Sequence, residues 1–254
     1  MKIIAGNWKM NMTRRETLEY FERYAGLNPD KSGARVIFLV PYTAISTAVE
    51  TGENLGFEVG AQNVYPAAAG AYTGEITADM IKDCGAKVVL VGHSERRTLF
   101  RESDTFINEK LRCVLDAGLS AILCVGETAK ERENDETEGV LWRQITMALD
   151  KLPDLSKLII AYEPVWAVGK TADGKSKKPA TSQQIADAHA FIKTILTGFT
   201  DANDIPVLYG GNVKSETSGE IMRIPNVDGV LVGGASLKVE EFSKIIESSS
   251  ALLN

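Results

Sequence analysis

Three side chains able to carry protons or meet charge stand in short, unusual settings. Lys9 closes the run Asn7-Trp8-Lys9, His93 lies in Gly92-His93-Ser94-Glu95-Arg96, and Glu163 precedes a proline in Tyr162-Glu163-Pro164. His93 is one of only two histidines, the other being His189. A positioned carboxylate or imidazole can move protons, and a cation can meet negative charge that develops during a reaction. Two glycine pairs, Gly210-Gly211 before Asn212 and Gly233-Gly234, mark tight turns. Singly, each has an ordinary reading: a bonded loop histidine, a surface carboxylate, a solvated lysine, two turns. Only their convergence would make a site.

The elements that would bring them together are legible. Short apolar runs begin near Ile3, Val36, Phe57, Val88, Ala121, Leu158, Val207 and Val230. They are rich in Val and Ile and most lack polar alternation, as strands buried on both faces do. Between them lie amphipathic stretches at 13–24, 103–115, 136–149 and 181–196, among about eight helices. Thr13 with Glu16 three residues on forms a capping pair. Repeated strand–helix units imply right-handed crossovers and a parallel sheet. Periodicity leaves a closed barrel and an open doubly wound sheet equally allowed. Ligands in either fold bind at the C-terminal strand ends. Lys9, His93, Glu163 and both glycine pairs fall at such ends, so all would share one rim.

Composition narrows the function. The chain has 254 residues, enough for one α/β barrel, and carries a net charge of −6. That balance argues against nucleic acid or an anionic membrane surface as the main partner. The start turns polar too soon for a signal peptide, and no apolar run approaches the ~18 residues of a membrane helix. Cys84, Cys113 and Cys124 give neither a disulfide framework nor a metal pair, and read as three buried thiols in a reducing cytoplasm.

Other chemistries fit less well. No His, Cys and Asp cluster has metal-ligand spacing, so no metal or cofactor is expected. A serine-hydrolase elbow fails because Arg96 stands where its last glycine must be. A Schiff-base aldolase needs a buried rim lysine where strand six offers Glu163. Residues 169–176 match the phosphate-cradling pattern Gly-x4-Gly-Lys-Ser letter for letter. A working version needs a helix starting at Lys175-Ser176, and Pro179 disfavours helix at Lys178. This segment reads as a polar loop, with a nucleotide-binding module or an idle phosphate-binding barrel as the alternatives.

The residues around these candidates resemble the triosephosphate isomerase family closely. The matching segments are 6–11, 61–64, 70–75, 91–97, 124–127, 162–167, 209–211 and 232–237, in family order and across essentially the whole chain. The resemblance implies one (β/α)8 TIM barrel domain over residues 1–254. It implies a cytoplasmic, cofactor-free enzyme of glycolysis and gluconeogenesis acting on triose phosphates. Glu163 would be the base and His93 the electrophile and proton shuttle. Lys9 and Asn7 would hold the substrate and meet enediolate charge, with Ser94 and Glu95 supporting them. Backbone amides of Gly169, Asn212, Gly233 and Gly234 would bind phosphate. Residues 164–179 would form a lid. Residues 62–75 would insert into a second subunit, with Thr73 and Glu75 on that loop and Thr73 directed at the partner subunit's Asn7 and His93, giving a homodimer. Two departures stand out. The lid's second hinge carries about six extra residues within 170–177, and Asn212 replaces the usual serine, which keeps an amide but removes a hydroxyl.

Overall fold

The computed structural model describes residues 1–169, 178–199 and 205–252. Eight strands pair in parallel in chain order: β1 (Lys2–Asn7), β2 (Ala34–Val40), β3 (Glu58–Ala61), β4 (Val88–Val91), β5 (Ser120–Val125), β6 (Leu158–Tyr162), β7 (Val207–Tyr209) and β8 (Gly229–Val232). β8 returns to β1, from Ile3 opposite Gly229 to Gly6 opposite Val232, and the sheet closes into a barrel. The choice that periodicity left open is made by this last pairing.

Successive residues of a strand face opposite sides, and the core divides accordingly. Ile3, Ala5, Ile37, Leu39, Leu90, Ile122, Ile159, Ala161 and Leu231 belong to a buried cluster made only of strand residues, which fills the barrel. Their neighbours Ile4, Phe38, Val89, Leu123 and Ile160 pack outward against helices. Both layers are apolar, which is why the strands read as continuous apolar runs.

Ten α-helices lie among the described residues: α1 (Arg14–Leu27), α2 (Ile45–Gly52), α3 (Ala78–Asp83), α4 (Ser94–Leu99), α5 (Asp104–Asp116), α6 (Ala129–Glu133), α7 (Thr137–Leu149), α8 (Ser182–Leu196), α9 (Ser215–Arg223) and α10 (Val239–Ser250). That exceeds the expected eight because α4 and α6 precede the main helices after β4 and β5. They are too short for apolar periodicity to register, and α6 buries no residue. The capping pair at α1 is present: Thr13 Oγ1 accepts from the Glu16 amide, and Glu16 returns a bond to the Thr13 amide at 2.7 Å. Tyr20, Phe21 and Tyr24 of α1 pack with Trp8, Phe38 and Phe242 in a buried aromatic group. Trp8, fully buried there, anchors the first rim segment.

Only one thiol is buried, contrary to the expectation of three. Cys124 is inside the barrel, Cys113 is half-buried, and Cys84, just past α3, is exposed. No helix among the described residues is long and apolar enough to cross a membrane.

Candidate active site

Strand parity aims two of the candidates. Asn7 continues the interior file Ile3, Ala5, and Glu163 continues the file Ile159, Ala161. Both are buried, Asn7 at 5% and Glu163 at 3% exposure. The Glu163 amide donates to Val125 O at 2.7 Å and so prolongs the β5–β6 ladder by one step. Two glycines make the room. A Cβ on Gly210 would lie 2.8 Å from Glu163 Cγ, and one on Gly126 would lie 1.9 Å from Glu163 O.

His93 arrives by breaking parity. Leu90 faces inward, so position 93 would face outward if β4 continued. Gly92 adopts φ +71°, a left-handed conformation suited to glycine, and redirects the chain. His93 then caps α4. Its Nδ1 accepts the Glu95 amide at 3.2 Å and therefore carries no proton. The proton resides on Nε2, which donates to Glu163 Oε1 at 2.9 Å. The Ser94 amide donates to Glu163 Oε2 at 3.1 Å, so both carboxylate oxygens are held.

Lys9 sits one turn beyond β1. Its backbone is left-handed, φ 54°, held by its own amide donating to Asn7 Oδ1 at 3.0 Å. Asn11 Nδ2 steadies the same turn by donating to Trp8 O at 2.6 Å. Lys9 Nζ meets Glu95 Oε1 at 2.6 Å. Burial pushes the Glu163 carboxyl up, but the bonded imidazole, the Ser94 amide and the Lys9 ammonium outweigh it and hold the carboxyl below its usual value. Burial, with Glu163 beside it, pushes the Cys124 thiol well up.

The expected residues converge. Asn7, Lys9, His93, Glu163, Gly169, Asn212, Gly233 and Gly234 all line one cavity of about 730 Å³. A one-turn helix, Gly234–Leu237, opens on it, and Lys9 Cε passes 3.7 Å from where a Gly233 Cβ would stand. Ser94 and Glu95 flank the pair, as expected. Thr73 and Glu75 do not reach the cavity; both are exposed on their loop. Residues 170–177, which carry the hinge extension and most of the phosphate-loop pattern, lie outside the described residues. The start of the expected lid is described: the one-turn helix Val165–Ala167, and Gly169 at φ +81°. Among the described residues no three His, Cys, Asp or Glu side chains gather as metal ligands would.

Sequence reasoning assigned no role to Glu127 or Arg97. Glu127 is fully buried and accepts from Tyr162 Oη, Trp166 Nε1 at 2.8 Å and Arg132 at 2.9 Å, tying the segment after Glu163 to β5. Arg97 bonds the carbonyls of Gly92 and Cys124. Both lie inside segments quoted for the family resemblance, but only the third dimension shows what they touch.

A closed parallel barrel with a buried carboxylate–imidazole pair at its C-terminal rim defines a (β/α)8-barrel enzyme. The family model for triosephosphate isomerase matches residues 2–249. A triosephosphate isomerase of Lawsonia intracellularis is 45% identical, over 98% of both chains. One of Syntrophotalea carbinolica is 42% identical, over 96% of both. The crystal structure of triosephosphate isomerase from Bartonella henselae superposes with a TM-score of 0.86 at 37% identity, covering 98% of this chain and 99% of that one. The chain belongs to the triosephosphate isomerase family, and it is an isomerase.

Proposed function

We propose that this enzyme interconverts dihydroxyacetone phosphate and D-glyceraldehyde 3-phosphate, with Glu163 as base and His93 as electrophile. The observation that carries the reading is the pairing of a buried carboxylate with an imidazole whose proton is confined to Nε2. Pairing a carboxylate base with an imidazole at a helix start is the family's own arrangement. A substrate must part the two. Its carbonyl oxygen takes the Nε2–H, and the carbon beside it takes the carboxylate. Glu163 removes a proton from that carbon, and the electron pair moves onto the carbonyl oxygen. The Nε2–H and the Lys9 ammonium meet that charge. The imidazole passes a proton between the two oxygens, and Glu163 returns its proton to the neighbouring carbon.

Asn7 and Lys9 hold the triose, and the amides of Gly169, Asn212, Gly233 and Gly234 receive the phosphate. Neither nucleic acid nor a membrane is a partner, and the enzyme works in the cytoplasm. A second copy completes it as a homodimer. What supports this is a cavity of about 570 Å³ beside Lys9, lined by Met10, Tyr42, Gln62 and Glu95, as the place for the tip of the partner's loop 62–75.

The test is a coupled assay of glyceraldehyde 3-phosphate isomerisation by wild type and Glu163→Asp, without added metal or nucleotide. Shortening the base withdraws the carboxylate by about 1 Å, so turnover should fall about 100-fold or more. An idle wild type, or an undiminished variant, would overturn the assignment.

A further inference from the structure

We infer that Arg97 is a positioning residue that sets the spacing between His93 and Glu163 by replacing a missing rung of the barrel. This rests on those two side chains being the reacting pair. The Val125 carbonyl of β5 accepts from Glu163 on the β6 side. Alternate carbonyls of a strand in a parallel sheet face opposite neighbours, so the preceding one, on Cys124, faces β4. There the ladder has ended: Val91 opposite Leu123 is its last pair. The chain has left at Gly92 to start α4, and the next β4 amide is no longer available.

Arg97, one turn into α4, fills the gap from behind. Its Nε donates to Gly92 O at 2.8 Å, and a terminal nitrogen donates to Cys124 O at 3.1 Å. The other terminal nitrogen donates to Asp104 Oδ1 at 2.5 Å, at the start of α5. The second Asp104 oxygen faces Arg143 of α7 at 3.3 Å. The Arg97 and Asp104 side chains are 14% and 7% exposed, so the arrangement is largely dry. The guanidinium thereby clasps the carbonyl directly before His93 to β5, and β5 carries Glu163 through the Val125 rung. A planar fork holds two carbonyls and a carboxylate from three separate nitrogens in fixed directions, which the single nitrogen of an ammonium on a flexible stem does not. Gly92 belongs to the same device, since a Cβ there would lie 3.2 Å from the Arg97 nitrogen.

The experiment compares wild type with Arg97→Lys by steady-state kinetics and by NMR of protein with ring-15N-labelled histidine. The expected result is a kcat lowered about 10- to 100-fold with KM held within about threefold. The His93 Nε2–H resonance should move upfield as its bond to Glu163 lengthens. A variant that only melts earlier, with kcat and the His93 resonance unchanged well below its unfolding temperature, would overturn the inference. If Arg97→Lys does not fold, Asp104→Asn carries the same two readouts, with smaller changes in the same directions. An inactive wild type would remove the catalytic reading, yet the imidazole resonance would still test the clasp.

Discussion

Each of the two histidines spends one ring nitrogen on the backbone, and what the other nitrogen meets separates their roles. His93 offers Nε2–H to a carboxylate in a cavity. His189 of α8 donates Nδ1–H to Asn226 O at 3.0 Å, and its Nε2 is buried with no hydrogen-bond partner among the described residues. Burial pushes the His189 imidazole down to about 4, because a charged ring would have to be desolvated beside Tyr162 and Tyr209. The folded state therefore favours the neutral ring. That contribution is complete above the unfolded value near 6.5 and is lost as pH falls toward 4. Between pH 7 and pH 5 the chain should lose about 2 kcal/mol of stability from this one group. Urea unfolding of wild type and His189→Gln at both pH values checks it: the variant should show the shallower fall, and equal slopes would refute the account. Nothing in the sequence separated the two histidines except their settings, one at a strand end and one in a helix.

At the scale of elements, α4, α5 and the chain after β3 are joined by a second buried charge group, distinct from the Arg97 clasp. Glu102 Oε1 accepts from Arg96 at 2.6 Å and from Lys110 at 2.5 Å, and Lys110 also donates to Asn63 Oδ1 at 2.7 Å. Lys110 is 1% exposed; burial pushes its ammonium down while Glu102 pulls it back up. Glu102→Ala strands that charge and should cost about 3–5 kcal/mol in urea unfolding. The paired change Glu102→Leu with Lys110→Met should cost distinctly less; an equal cost would show that packing, not the charge, is what matters. Such groups were illegible beforehand, because a lysine seven residues into an amphipathic helix looks like part of a solvated face. The strands were legible for the opposite reason. Burial on both sides leaves an unbroken apolar run, whereas the brief α4 and α6 carry too few turns to show a period.

At the scale of the molecule, the rim was readable because the five candidate segments each end a strand, and the fold gathers strand ends automatically. What order along the chain could not supply was closure, which depends on a pairing between residues more than 220 apart. The proposed assembly of two subunits would be a further step of the same kind. Met10 and Phe100, which line the cavity proposed for a partner's loop, are 96% and 64% exposed, apolar surface of the kind that marks a protein–protein contact. Light scattering should return twice the chain mass, with activity falling on dilution as subunits part. A fully active monomer would end the homodimer reading. The interior files carry one more consequence. Asn7 stands above Ala5, and Glu163 stands above Ala161, both alanines fully enclosed. The width of the catalytic cavity and the filling of the barrel beneath it are thus a single mechanical variable. Methyl groups added below would lift the working side chains like pistons, so the enzyme could be retuned from its floor without altering any atom that faces substrate.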